Sequence, residues 1–507
     1  MTTGKNFLAR LARGGFAESL SSDQRRSVHI QTSLDDFLRT ALDEGKQIVL
    51  TGNPGDGKTQ HILMCQDEYP EGEYYYLLDA SEYSDYHELL KEWSKAYNEE
   101  KAGILAINDG PLYEMAARYS EEFSFLETVQ KQLENQIIYS EETAPEIDFE
   151  DLVVIDLNNR EVLTAAIVSE AIQKLAKNFA MKGHDHSGTC HIQYNAKKLQ
   201  NSRIKDNLVD YLCELGNYDE HVTIRDLLNF LGYIITAGID ECQTDFGEAL
   251  HYYTLAFEGN GTVFDLVRRR FDSPDLVHPF IDSRLWAVAE EEADFSDRDD
   301  ADEVVAPLFE VKKQRFLFED EIMDLGYSSR DLYQNLPYDF INHRNGMSST
   351  GQKEDIIRKI NGYFAPNASR PRLRLWLSHR YRSKSSLALV SRTTVPKREM
   401  RLQKPQLHPE IAGTIGYTPS HTAIEYKNGG DPIRLRISKS LYRAIGALDA
   451  NIPYTLRDRD EEQQILEFME EIEYHEDYSE ETGEIMVKDT ETGKVERIDV
   501  EDSIYRE

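Results

Sequence analysis

At 507 residues the chain is too long for one hydrophobic core, and a prior of ~150 residues per domain points to about three domains. Its 92 acidic residues against 57 basic ones leave a net charge of −35, a surface that repels nucleic acid on average, so DNA contact requires a local basic patch or a partner subunit. Four scattered cysteines exclude a disulfide framework, no apolar run approaches the ~20 residues of a membrane helix, and residues 1–26 lack the apolar centre of a signal peptide, so a soluble protein of the reducing cytoplasm is expected.

In chain order, a helix is expected around residues 34–41 and a strand over 47–51. That strand runs into Gly52-Asn53-Pro54-Gly55-Asp56-Gly57-Lys58-Thr59, which fits the phosphate-binding pattern G-x-x-x-x-G-K-[ST] at every fixed position. The glycines permit backbone angles that turn successive N–H groups inward around phosphates. Lys58 then reaches the β and γ oxygens, Thr59 ligates Mg²⁺, and the helix opening at Lys58 aims its positive end at the same charge. ATP with Mg²⁺ is the expected ligand. A second strand is expected at 74–79, a helix at 86–97, and a buried strand at 103–107 ending in Asn108-Asp109. A helix at 123–138 and a buried strand at 152–157 with the polar tip Asn158-Asn159-Arg160 follow. Buried strands alternating with helices indicate a doubly wound parallel α/β sheet, with ligands at the carboxyl ends of its strands.

Beyond residue 160 the periodicity turns helical over 162–181, 207–215 and 222–236. Residues 290–303 are densely acidic and read as an exposed loop, and 355–364 as a helix. Residues 370–404 reverse the charge balance, with eleven basic residues against Glu399 alone, and enclose a strand at 387–390. This basic island, with Trp376 and Tyr381 interleaved, is the expected place for nucleic-acid contact, an acidic protein surface being the alternative. Helices are expected at 441–445 and 462–472, and a polar hairpin over 483–500 turns at 491–493. The domains read as an ATPase core over 1–165, a helical lid and extension over 166–365, and a C-terminal α+β domain over 366–507.

A hydrolytic site needs an oxygen ligand in the Mg²⁺ shell and a carboxylate that polarises water, both at the tip of a buried strand. Asn108 is the candidate for the first and Asp109 for the second; a plain turn is the alternative for both. Asn158 or Asn159 is a candidate to hold the lytic water or the γ-phosphate, with a turn as the alternative. Arg160 and Arg225 are the arginines best placed to meet the γ-phosphate, Arg225 because it opens a helix that should cover the nucleotide; surface ion pairs are the alternative for both. Arg268-Arg269-Arg270 reads as a basic helix end, with an arginine finger for a neighbouring copy in a homo-oligomer as the alternative. His184, His186, Cys190 and His191 lie close together but hold a single cysteine and match no zinc spacing, so a polar loop with incidental histidines is expected.

Several segments together resemble the DptF-like ATPases of DNA phosphorothioation-dependent restriction, AAA+-like proteins of prokaryotic defence systems. They are "LTGNPGDGKT" at 50–59, "ILAINDG" at 104–110, "VVIDLNNR" at 153–160, "CHIQYNAKKL" at 190–199 and "HVTIRDLLNFLGYIITAG" at 221–238, followed by "YYTLAFEGNG" from Tyr252, "HPFIDSRLW" from His278 and "LRISKSLYRAI" from Leu435. In that family the second motif usually reads Asn-Glu, so Asn108 is expected and Asp109 departs from it. Around Cys190 the family carries more cysteines, with a proline where His191 stands. The resemblance implies an ATPase component of a multi-subunit system that restricts DNA, acting with partner proteins. The residues alone leave two readings: an ATP-hydrolysing motor or switch, and a nucleotide-gated scaffold that hydrolyses weakly and organises its partners.

Overall fold

The computed structural model describes residues 4–14, 22–140, 142–184, 186–218, 220–273, 276–294, 301–320, 326–333, 350–365, 372–380, 387–427, 432–446, 459–475, 481–489 and 494–499. The chain divides into two compact units, one of residues 1–136, 144–335 and 407–418, the other of 137–143, 336–406 and 419–507.

The first unit begins with helices α1 (Gly4–Leu11), α2 (Ser22–Val28) and α3 (Ser33–Asp43). Strand β1 (Gln47–Thr51) follows, buried at every residue as its apolar β-branched run requires. After α4 (Lys58–Cys65), β2 (Tyr75–Leu77) and α5 (Tyr86–Asn98) lead to β3 (Gly103–Ala106), α6 (Asp109–Tyr119) and α7 (Phe125–Glu134). Residues Ile137–Tyr139 (β4) belong to the second unit, and β5 (Leu152–Asp156) completes the sheet. The order is β2-β3-β1-β5, all parallel, with Gln47 opposite Gly103 on one side and Leu152 on the other. Val49, Leu105 and Val154 turn to one face and pack with Leu89, Trp93, Met115 and Leu126 of the helices there. Alternation leaves Ile48, Leu50, Ile104 and Ile155 for the opposite face. This α/β sheet is the one the strand–helix alternation predicts.

The predicted helix over 123–138 ends early, at Glu134, because its last turn serves the sheet. Gln132 accepts from the Val154 N–H at 2.7 Å and donates to the Leu152 carbonyl at 2.8 Å, and Gln136 donates to the Val154 carbonyl at 2.8 Å. Two glutamine side chains thus occupy the open edge of β5 as a partner strand would.

Helices α8 (Ala165–Lys174), α9 (His191–Leu199), α10 (Ser202–Leu215), α11 (Ile224–Thr236), α12 (Tyr252–Glu258), α13 (Thr262–Arg270), α14 (Pro279–Glu292) and α15 (Ala301–Glu319) follow, α8 continuing into a wider π turn at Leu175–Phe179. They bury one apolar cluster that also takes in Phe7 and Leu8 of α1 and Val28 and Ile30. The boundary expected at residue 165 therefore falls inside a compact unit. The expected acidic loop over 290–303 is helical at both ends, and residues 295–300 lie outside the described residues. Residues Glu290–Glu292 end α14 and 301–303 open α15, where the acids serve as helix formers and Glu292 pairs with Lys312 at 2.5 Å.

In the second unit β6 (Arg372–Arg374), β7 (Leu377–Arg380), β8 (Leu387–Pro396), β13 (Glu481–Asp489) and β14 (Val495–Asp499) form one antiparallel sheet. Between them in sequence lie β9 (Met400–Gln403), β10 (Pro405–Leu407), β11 (His421–Tyr426) and β12 (Ile433–Ser438); β12-β11-β9 is a second sheet and β10 pairs with β4. Helices Thr350–Phe364, Lys439–Gly446 and Arg459–His475 share its core. The predicted C-terminal hairpin is the β13–β14 pair; its turn at 491–493 lies outside the described residues.

Candidate functional site

The phosphate-loop motif connects the carboxyl end of β1 to α4. Its three glycines take φ values of 126° at Gly52, 113° at Gly55 and 88° at Gly57, conformations closed to ordinary side chains. A Cβ on Gly55 would also stand 2.8 Å from Thr223 Oγ1. Lys58 Nζ donates to the carbonyls of Gly52 at 2.6 Å and Asn53 at 2.9 Å, so the lysine lies within its own loop. Burial lowers its affinity for a proton, against the raising charges of Asp56, Asp109, Asp79 and Asp156. Thr59 donates to the Leu78 carbonyl at 3.1 Å. The loop opens on a cavity of about 430 Å³. Pro54, Gly55, Gly57, Lys58, Thr59 and Asn108 line its polar end, with Asp79 and Arg225 beside them; Leu11, Val28, Ile224 and Leu228 line its apolar part.

The strand tips meet behind the loop. Asp109 opens α6 instead of sitting in a turn, and Asn108 is the residue before the helix, with extended backbone. Thr51 Oγ1 donates to Asp109 Oδ1 at 2.5 Å, and the Asn158 amide donates to Asp109 Oδ2. Asn158 Oδ1 in turn accepts from the Asn53 N–H at 3.2 Å. One asparagine thus ties the tip of β5 to the loop and to the acid at the head of α6. Asn159 bonds only backward, to Asp156 at 3.3 Å. Of the sequence-predicted residues, Pro54, Gly55, Gly57, Lys58, Thr59, Asn108, Arg160 and Arg225 line the cavity, whereas Gly52, Asn53, Asp56, Asp109 and Asn158 do not.

A buried polar chain runs through the loop. Asp56, fully buried, accepts from His221 at 2.8 Å, and its carbonyl accepts from Arg160. Arg160 also donates to His61 Nε2 at 3.3 Å, and His61 Nδ1 and His29 Nε2 meet Asp35 Oδ1 at 2.9 and 2.8 Å. Burial pushes the Asp35 carboxyl up, but hydrogen bonds from His29 and His61 outweigh it and hold the group well below the usual carboxylate range. Burial also pulls on His221, and there too the hydrogen bond and charge of Asp56 win, raising the imidazole above its ordinary 6.5. Buried His61, by contrast, is lowered by desolvation despite Asp35. Arg160, expected to meet a γ-phosphate, reaches the cavity wall with its guanidinium committed to the Asp56 carbonyl and His61. Arg225 is the arginine beside the loop: its N–H donates to the Gly55 carbonyl at 3.1 Å.

Sequence reasoning missed Asp79, His221 and Asp156 as site residues. Asp79 follows β2 and lines the cavity with Thr59. Asp156 ends β5 opposite Thr51, and burial, assisted by the charges of Asp109 and Asp56 and opposed by the Asn158 N–H, pushes its carboxyl up to about 6. Asp79 closes a predicted strand, the signal that singled out Asp109, whereas Asp156 lies one residue inside the predicted strand over 152–157. His221 had no such signal, since only the fold brings it to Asp56.

Elsewhere, Arg268 and Arg269 pair with Asp265 and Glu220 at 2.6 Å each, and Arg270 lies over the Tyr218 ring, so the triple-arginine run behaves as the end of α13. In the second unit Trp376 is fully buried and stacks on Phe364, a core role in place of the expected base stacking. Arg374 is 5% exposed; Lys397 pairs with Glu354, and Arg401 with Glu425. Arg372, Arg392 and Arg398 are the exposed arginines of the island among the described residues, while Arg370, Tyr381 and Arg382 lie outside them. The His191 ring is held by the Thr236 carbonyl and the Gln243 N–H at 3.3 Å each.

No helix among the described residues is long and apolar enough to cross a membrane. Comparison with protein-family models, with curated proteins and with solved structures returns no match.

Proposed function

We propose that the chain binds ATP with Mg²⁺ at residues 52–59 and hydrolyses it, as an AAA+-like P-loop component of a prokaryotic system that restricts DNA, of the phosphorothioation-dependent kind. The observation that carries the nucleotide is the loop itself: three left-handed glycines at the carboxyl end of a central parallel strand, opening with Lys58 and Thr59 onto one cavity. The restriction role rests on the series of segments resembling that family.

The residues present fit both ligands. A buried lysine bonded only to its own loop's carbonyls is ready to exchange them for phosphate oxygens. The hydroxyl of Thr59, the carboxylate of Asp79 and the amide of Asn108 are the hard oxygen donors that would hold Mg²⁺, which when bound neutralises developing phosphate charge. Backbone N–H groups of the loop and the start of α4 orient the phosphates. Arg225 stands beside them to meet charge on the terminal phosphate. Leu11, Val28, Ile224 and Leu228 offer the apolar surface a purine base needs.

Asp109 is the proposed acceptor for the proton of the attacking water, with Asn158 positioning it. Both carboxylate oxygens of Asp109 already accept hydrogen bonds, from Thr51 and Asn158, and that observation favours slow turnover. It gives the second reading, a nucleotide-gated scaffold, its support. Phosphate release by the wild type and by Asp109→Asn, with and without DNA, tests the hydrolytic reading. The wild type should turn over, and the variant should retain ATP binding with phosphate release reduced ~10²-fold or more. A variant as fast as wild type removes Asp109 from the reaction, and a silent wild type under every condition leaves the scaffold.

A further inference from the structure

We propose that His184, His186, Cys190 and Cys242 form a tetrahedral zinc site in the helical part of the first unit. The ligand atoms of these four residues all lie within 4.8 Å of one another. His184 Nδ1 stands 3.1 Å from Cys242 Sγ and 3.5 Å from Cys190 Sγ. In a tetrahedron with Zn–S of ~2.3 Å and Zn–N of ~2.05 Å, the nitrogen-to-sulfur edge is about 3.5 Å. Two thiols and two imidazoles are the donor set that selects zinc among the common divalent ions.

Three further features point to a ligand. His184 Nε2 lies 2.7 Å from the Ala180 carbonyl, so that nitrogen carries the proton and Nδ1 presents its lone pair to the sulfurs, the orientation that an outer hydrogen bond gives to metal-bound histidine. Both ring nitrogens of His186 are buried with no hydrogen-bond partner among the described residues, though its ring stands 5.4 Å from that of His184. A buried, unpaired imidazole is costly, and coordination would satisfy it. Cys190 stands fully buried at the head of α9, and the Lys5 ammonium, 3.5 Å from the Cys242 sulfur, supplies a positive charge beside the cluster.

The site would join two segments far apart in sequence: the stretch from His184 to Cys190 between the π segment and α9, and the loop after α11 that holds Cys242. Helix α11 begins beside the phosphate loop, where the Arg225 N–H bonds Gly55, so the metal would anchor the far end of an element that borders the nucleotide. Neighbouring His191 takes no part, because both its nitrogens are occupied elsewhere.

The test is metal content and cobalt reconstitution of the full chain. Purified wild type should hold one zinc per chain by elemental analysis. After chelation it should bind one Co²⁺ and develop the visible absorption of tetrahedral cobalt with thiolate charge-transfer bands. Cys242→Ser should lose the charge-transfer intensity of one thiolate and bind Co²⁺ at least tenfold more weakly, whereas His191→Ala should match wild type. Chelation should lower the wild-type melting temperature, and added Zn²⁺ should restore it. Because the wild type alone supplies the first readouts, a variant that fails to fold does not rescue the idea. A chelated, thiol-reduced wild type that takes up no Co²⁺, an octahedral cobalt spectrum, or a Cys190–Cys242 disulfide in the chain purified under reducing conditions would each overturn it.

Discussion

Replacing Asp156 by Asn should make the first unit more stable at pH 8, although the change touches the tip of a central-sheet strand. Burial and the charges of Asp109 and Asp56 raise this carboxyl from 3.8 to about 6, with the Asn158 N–H opposing at 2.9 Å. The folded form thus binds the proton more tightly than the unfolded chain does. Stability accordingly falls as the pH rises from 3.8 through about 6, and above that the folded unit carries the full cost of a buried charge. The shift corresponds to about 3 kcal/mol. An amide removes the charge and keeps an oxygen to accept from Asn158, so Asp156→Asn should gain up to about 3 kcal/mol at pH 8 and converge on wild type toward pH 4. Two compact units make a global transition unsuitable, so the assay is hydrogen exchange of the β1 and β5 amides in urea, read between pH 5 and 8. A variant less stable than wild type at pH 8, or a stability difference that does not change with pH, would refute the assignment of a proton-holding acid here.

Gly55→Ala should cost ~1–3 kcal/mol, since it forces a side chain into a φ of 113° and toward Thr223 Oγ1, and it should abolish binding of a fluorescent ATP analogue; retained binding would mean that the loop backbone is not the phosphate cradle. Changing Arg372, Arg392 and Arg398 together to Ser should lower the slope of log DNA affinity against log salt by ~0.9 for each arginine that neutralises a phosphate, while ATP binding stays intact; an unchanged slope would assign DNA contact to partner proteins.

The sheet was legible because its strands are continuous apolar runs ending in polar tips, and such runs are needed only where both faces are buried. The loop was legible because its chemistry demands fixed residue types at fixed spacing. Helix limits were less so: residues 135–138 keep a helical pattern, yet Gln132 and Gln136 spend their amides on the edge of β5 and the chain turns away. Residues 290–303 read as a loop because charge density resembles solvent exposure, although Glu292 and Lys312 form a pair between helices. Trp376 shows the same limit from the other side, since an aromatic among arginines looks like a stacking platform until its stacking on Phe364 is seen. What the sequence could not supply were partners made by the fold: His221 for Asp56, Arg160 for His61, and Cys242 for the histidines near Cys190.

Equilibrium binding of ATP with Mg²⁺ to the full wild-type chain and to Lys58→Ala, by calorimetry, tests the nucleotide site most directly. The wild type should bind one nucleotide per chain. The variant, deprived of a charge-assisted contact worth ~1.5–3 kcal/mol, should bind more than tenfold more weakly while keeping the wild-type circular dichroism spectrum. A wild-type chain that binds no nucleotide, or a folded Lys58→Ala chain whose affinity stays within tenfold of it, would contradict the assignment of residues 52–59 as the phosphate site.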